Sequence, residues 1–382
     1  MKLFECQHCG QPLYFENTKC GSCGRALGYL SDQETITALE GAGNDVWHAL
    51  AEPKGRYRLC ANARHDVCNW LVDADSPEVF CAACRHNRTI PDLNQPDNLA
   101  HWRKIELAKH RLFYTLLRLR LPLQTKAENP DGLAFDFLQA PGAFAPSQAP
   151  VIAGHASGVI TLNLSEANDA ERERQRHAMR EPYRTLLGHF RHESAHYFWD
   201  RLIRNSPSLQ EFRRMFGDET QDYDQALQQH YTQGAPPDWP ERFVTAYASA
   251  HPWEDFAETW AHYFHIVDTL ETANAFGMRV KPQVAKSADL ATAVDFDPHV
   301  APIEKIVDAW LPLTFAMNSI NRSMGLQDLY PFVLGPTAIM KLGFVHAQIH
   351  TRSGPAPKST ANSTLRAVIA GFKRRVGAPN PG

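Results

Sequence analysis

The sequence predicts an α+β fold in which a mainly helical domain follows small modules built around cysteine. Two observations predict it. All eight cysteines lie before residue 85, largely as paired knuckles, and modules this small lack a core of their own. The cysteine-free remainder carries long apolar stripes at helical spacing and only two short strand-like segments. At 382 residues, with 43% hydrophobic and 21% charged, the chain suffices for one large or two medium domains with a real core. A formal net charge of −3 makes no general case for nucleic acid. No apolar run approaches the roughly eighteen residues of a membrane helix, so no membrane span is expected. The start, MKLFECQHCG, lacks the basic-then-apolar form of a signal peptide, which points to a cytoplasmic location.

The expected domains are a zinc-ribbon region over 1–95, a helical domain over 96–350 and a basic flexible tail over 351–382. Cys6-x-x-Cys9-Gly10 and Cys20-x-x-Cys23-Gly24 flank a strand-like Pro12–Phe15. The glycine after each pair permits the tight turn that aims backbone amides at sulfur, so these four thiols read as one closed, structural zinc site. Cys60, Cys68, Cys81 and Cys84 read as a second; its first half is wider, and His65 is an alternative ligand there. In an unexported chain this pattern points to metal rather than disulfides, and the metal would supply much of the folding energy.

The turn-rich 91–98 segment reads as a boundary, and a helix is expected over 99–121 through Trp102, Ile105, Leu112, Leu116 and Leu119. Its basic face reads by default as solvated, with contact to a polyanion as the alternative. Strands are expected at 133–138 and 158–164, around a Pro/Ala loop at 140–150, and a charged surface run follows at 166–180. After 204 come an apolar Phe212–Phe216, an acidic turn at 217–219, a helical stretch to Tyr231 and a break at Pro236, Pro237 and Pro240. Helices are expected over 252–270 and 301–322. The tail is Ser/Pro/Gly-rich and basic, with one short helix near 364–376.

Residues 182–204, PYRTLLGHFRHESAHYFWDRLIR, hold the pattern around which the chain is organised. His192 and His196 are four apart, so on a helix both imidazoles share a face and can grip one ion. Glu193 lies beside them without being needed as a ligand, as the base of a zinc hydrolase would. The pattern is short enough to arise by accident, so a second half of the site is needed. The 252–270 helix offers it: Glu254 and Glu258 share a face away from Phe256 and Trp260, and His262 and His265 continue that polar stripe. Two histidines and a glutamate make a catalytic ligand set, and a further carboxylate can orient a bound imidazole. A solvated acidic first turn is the bland alternative. Asp255, about 100° around the helix from Glu254, is expected to face solvent. Asp200 either orients a ligand or is a surface acid.

His192-Glu-Ser-Ala-His196 followed by Tyr-Ala-Ser-Ala-His-Pro-Trp-Glu254 resembles the Glu-zincins, the family of thermolysin. The spacing Tyr247-x6-Glu254-x3-Glu258 is similar to that around the third ligand in anthrax lethal factor. The whole of 1–350 resembles a bacterial family of zinc-binding metallopeptidases with N-terminal zinc ribbons. That likeness rests on Arg58-x-Cys60-x-Asn62, Cys68-Asn-Trp-Leu71, Gly154-His155, Ile160-Thr-Leu-Asn163, Glu181-Pro-Tyr-Arg-Thr185 and the two site helices. The resemblance implies a zincin-like domain with zinc on His192, His196 and Glu254, Glu193 as general base, Glu258 in support and Tyr247 polarising the carbonyl. It also implies that 158–164 is the edge strand along which a peptide lies.

The expected activity is therefore zinc-dependent peptide hydrolysis, with one catalytic and two structural zinc ions and a peptide or protein as substrate. Two other readings stay open. One is a binding or scaffold protein with a non-catalytic zincin domain, using its ribbons or basic tail to hold protein or nucleic acid. The other is hydrolysis of a non-peptide amide by the same residues.

Overall fold

A computed structural model describes residues 2–139, 154–178, 184–283 and 290–351 of the chain. The 140–150 loop, Pro182 and the tail beyond Thr351 with its expected helix lie outside the described residues. The chain divides into two compact units, Met1–Tyr197 and Phe198–Gly382, and the division falls inside one continuous helix, Leu186–Leu202.

In the first unit, β1 (Phe4–Glu5) and β2 (Pro12–Leu13) pair antiparallel behind the first knuckle. Five antiparallel strands follow in sequence order: β3 (Leu27–Leu30), β4 (Thr35–Gly43), β5 (Val46–Ala49), β6 (Glu52–Leu59) and β7 (Leu71–Asp73). Sequence reading assigned no element to 31–59, and this sheet is its largest omission. The signal is a two-residue turn, Asn44-Asp45, with φ of 49° and 58°, the conformation that matches the twist of a hairpin. Leu30, Leu39, Ala49 and Leu71 form a core beneath Trp47 and Tyr57, so the cysteine region does own an apolar core. That corrects the expectation that the ribbons lack a core of their own: the hairpins between the quartets bury what the knuckles cannot.

Helix α1 (Asn98–Arg118) seats on this sheet. Tyr114 meets Phe15 edge-on at 5.4 Å, and His110 lies 5.2 Å from Trp70. The basic face of α1 stays largely in solvent, as expected, with Arg103 and Lys104 exposed, and acids from other segments pair with it. Lys104 pairs with Asp169 at 2.9 Å, Arg111 with Glu16 at 2.7 Å and Arg118 with Glu34 at 2.5 Å. Lys109 is fully buried on Glu106 at 2.9 Å.

On its other side α1 meets a second sheet, ordered β10 (Gly154–Ala156), β11 (Val159–Asn163), β9 (Ala134–Leu138), β8 (Asn87–Thr89). Phe113 of α1 lies 5.9 Å from Phe135 of β9. Phe135 and Phe137 in turn take Phe190 at 5.6 and 6.3 Å, each aromatic burial stabilising by about 1.5–3 kcal/mol. β11 is an inner strand, antiparallel to β10 and parallel to β9, so 158–164 is not the edge. Among the described residues the edges are β8 and β10, the latter a hairpin partner added by the Ser157-Gly158 turn (φ 49° and 80°). Gly158 is required there, since a Cβ would come within 2.5 Å of the Gly132 carbonyl. The charged 166–180 run becomes a short turn, Leu164–Ala167, and helix α2 (Asp169–Ala178).

The second unit is helical. After the last turns of α3 (Leu186–Leu202) come α4 (Leu209–Phe216), α5 (Tyr223–Gln233), α6 (Trp239–Arg242), α7 (Pro252–Ala275), α8 (Ile303–Ser323) and α9 (Pro336–His350). Phe212 and Phe216 stack at 4.9 Å and approach Phe256 of α7 at 6.0 and 5.8 Å. α9, unassigned from sequence, explains a second correction. Asp255 does not face solvent: it is fully buried, and Lys341 of α9 donates to it at 2.5 Å. Burial raises its carboxyl to about 7 against the opposing pull of Lys341. His262 is likewise buried, its Nδ1 2.6 Å from the Tyr330 hydroxyl, rather than part of an open polar stripe. No helix among the described residues is long and apolar enough to cross a membrane.

Candidate metal centre

Both cysteine quartets assemble. Sulfurs of Cys6 and Cys23 lie 3.8 Å apart, those of Cys9 and Cys20 3.6 Å, and those of Cys68 and Cys81 3.8 Å. A tetrahedron with metal–sulfur bonds of about 2.3 Å has edges of about 3.8 Å, so four thiols at this separation fit zinc. All eight cysteines are free thiols. Gly10 and Gly24 take φ of 72° and 73°, closing each knuckle. In the second quartet backbone amides point at sulfur: Trp70 N to Cys68, Cys81 N to Cys60 and Cys84 N to Cys81, each at 3.4 Å. His65 is not in the second quartet's group, and His110 of α1 stands beside it, with Nε2 3.6 Å from Cys84 Sγ.

α3 carries His192 and His196 one turn apart, their rings 5.2 Å centre to centre. His155, on edge strand β10, stacks near His196 at 6.1 Å. Glu193 is 7% exposed. One turn earlier, His189 places Nε2 3.2 Å from Glu193 Oε1 and Nδ1 2.6 Å from Glu166 Oε2. Burial alone would raise the Glu193 carboxyl, but His189, His192 and His196 outweigh it and hold it at about 2. Burial alone would lower His189, and the two carboxylates instead lift it to about 10.

The second unit positions the acids. His251 caps α7: its Nδ1 accepts from Trp253 N at 3.1 Å, and Nε2 lies 3.3 Å from the Gln221 carbonyl. Pro252 fills the first helical position, where no amide donor is needed. Glu254, in that first turn, is 1% exposed and accepts a hydrogen bond from the Tyr223 hydroxyl at 2.8 Å. Tyr247 sits in the short turn Tyr247–Ser249. Burial and the charge of Glu254 push its hydroxyl well above the ordinary range, so it stays a donor. Glu258 accepts from Thr245 Oγ1 at 2.8 Å, and the same hydroxyl receives Ala248 N at 3.1 Å, which ties Glu258 to the turn bearing Tyr247. Asp200 pairs with Arg204 at 2.7 Å along α3. The end of α3 lies on the start of α7, with Trp199 5.5 Å from Trp253 and Phe198 5.2 Å from Trp260.

His192 and His196 stand on α3 in the first unit, and Glu254 stands in the first turn of α7 in the second. Two imidazoles and a carboxylate make a donor set that suits zinc and leaves a position open. Asp268, Glu271 and His299 offer ligand atoms within 4.8 Å of one another, and all three are buried. Sequence reading missed Tyr223, Thr245, Glu166 and His189. Only His189 had a signal, its four-residue spacing from Glu193 on one helix face.

Residues 98–348 match the profile of a family described as "Putative zinc-binding metallo-peptidase". The chain belongs to that family. Residues 3–95 match a zinc-ribbon domain, so the metallo-peptidase region follows a zinc-ribbon region that contains both quartets. Uncharacterized proteins of Mycobacterium bovis and Mycobacterium tuberculosis are each 41% identical to the chain over 353 residues, covering 91% of it and 95% of the relative. No solved structure matches.

Proposed function

We propose that the chain is a zinc-dependent peptidase, with catalytic zinc on His192, His196 and Glu254 and a structural zinc in each cysteine quartet. The observation that carries the reading is the pair of imidazoles one turn apart on α3, with Glu193 beside them, in a chain of a zinc-binding metallo-peptidase family. Zinc bound there would bring the pKa of a water to about 7 and polarise the scissile carbonyl. Glu193 takes the water's proton on its carboxylate as the oxygen–carbon bond forms, then gives it to the leaving nitrogen as the carbon–nitrogen bond breaks. Tyr247, kept protonated, donates to the carbonyl oxygen as negative charge grows. Tyr223 holds Glu254 in place. An extended peptide would add to edge strand β10, its backbone continuing the sheet. Retention of a base at Glu193 is what favours this reading over a scaffold that merely stores zinc.

The test uses a proteome-derived peptide library, with new N-termini read by mass spectrometry. Wild-type protein should carry three zinc ions per chain and generate new termini. Glu193→Gln should keep three ions and lose about 10²–10⁴-fold in rate, while His192→Ala should carry two. The reading fails if zinc-loaded wild type produces no termini, or if Glu193→Gln produces the same ones at the same rate.

A further inference from the structure

We infer that Glu166 and His189 form a fixed arm that positions Glu193, holding one carboxylate oxygen aside so that the other receives the proton. The inference rests on Glu193 being the base. Its own ground is geometry. The His189 ring lies between two carboxylates, with Nδ1 2.6 Å from Glu166 Oε2 and Nε2 3.2 Å from Glu193 Oε1. Glu166 is 4% exposed and Glu193 7%, so water does not replace these bonds. An ionised carboxylate only accepts, so the ring bridges both acids by donating from both nitrogens. The high value of His189, about 10, agrees with a doubly protonated ring under both acids.

The arm has a rigid root. Glu166 lies in the Leu164–Ala167 turn that directly follows β11. The Asn163 side chain caps this turn by accepting Ser165 N at 3.0 Å, and Leu164 and Ala167 are buried on either side. The sheet therefore fixes Glu166, Glu166 fixes the His189 ring, and the ring fixes one oxygen of Glu193. His189 precedes Glu193 by four residues on α3, so the contact needs no change of backbone. An unsupported glutamate would sample several rotamers, and small misplacements of a reacting group cost up to about 10²-fold. With Oε1 engaged by a ring N–H, only Oε2 is open to accept a proton. Glu166 and His189 touch neither substrate nor metal in this scheme and act as positioning residues.

The experiment pairs kinetics with a signal that does not depend on turnover. In zinc-loaded wild type with 15N-labelled histidine, both ring nitrogens of His189 should carry a proton. In Glu166→Gln, which keeps size and a hydrogen-bonding group, that double protonation should be lost. Glu166→Gln and His189→Gln should each lower kcat by about 10–100-fold, with KM and zinc content unchanged. A His189 ring carrying one proton in wild type, or variants with unchanged kcat, would overturn the arm. If hydrolysis proceeds while both variants keep wild-type kcat, the arm fails and the peptidase reading stands. If zinc-loaded wild type hydrolyses nothing yet the doubly protonated ring depends on Glu166, the arm stands as built and the peptidase reading fails.

Discussion

The two cysteine quartets have four thiols each and differ in how deeply their surroundings bury them. In the first, Cys6 and Cys20 are buried but Cys9 is exposed and Cys23 half-buried, and Gln7 in the knuckle bonds Ile36 O at 2.9 Å and Ala38 N at 2.8 Å of the neighbouring sheet. In the second, all four cysteines are buried, and α1 closes over them. His110 is 3.6 Å from Cys84, its Nδ1 donating to Glu106 O at 2.7 Å. Glu106 and Lys109 pair behind it at 2.9 Å, both fully buried. The first quartet is a local staple on a hairpin. The second is part of the core that joins the ribbon sheet to α1 and the sheet under α3. Two sets of four thiols thus sit in different packing, and burial distinguishes them.

Thermal unfolding should separate them most. Cys84→Ala removes one of four ligands above a buried charged pair, and structural zinc sites are worth about 10–16 kcal/mol, so the first unit should fail to fold cooperatively. Cys9→Ala should lose one zinc and destabilise the unit less, leaving a cooperative but lower melt, followed by near-ultraviolet circular dichroism of the buried Trp70 and Trp102. Equal losses from the two variants would break the comparison.

A smaller effect should appear in native protein treated with chelator and an alkylating reagent. Cys9 and Cys23 should be modified first, with Cys60, Cys68, Cys81 and Cys84 protected until the unit unfolds, as peptide mapping would show. Simultaneous modification of all eight would mean that α1 does not seal the second site. The smallest contrast is between two histidines. His110→Ala truncates a ring packed between Cys84 and Trp70 and should cost about 1–3 kcal/mol in urea unfolding, whereas the exposed His8→Ala should stay within about 0.5 kcal/mol. Matching midpoints for the two would remove α1 from the account of the second quartet.

The order of cysteine modules before a mainly helical domain was legible in the sequence, and the fold and the family bear it out. So were α1, α3, α7 and α8, because an apolar stripe with a start signal is a local property of ten to twenty residues. The ribbon sheet was hidden because β4 runs into glycine at Gly41 and Gly43, β5 is only four residues long, and β6 carries charges at Glu52, Lys54, Arg56 and Arg58, so no strand shows a sustained alternation. α9 was missed for the opposite reason: PTAIMKLGFVHAQIH is apolar on most sides, so it shows no stripe until its neighbours are known.

What the sequence by itself determined is what spacing along one element settles. The knuckles close because glycine can adopt positive φ, and His192, Glu193 and His196 share a turn because helices repeat every 3.6 residues. What only the tertiary structure decided is which charges meet. Asp255 faces Lys341 across 86 residues of chain, Glu254 meets Tyr223 across 31, and Glu166 reaches His189 across 23. The basic face of α1 finds Asp169, Glu16 and Glu34. The reason is physical: helical periodicity says which way a side chain points, but burial and the charge it meets there come from elements that fold over it from elsewhere in the chain.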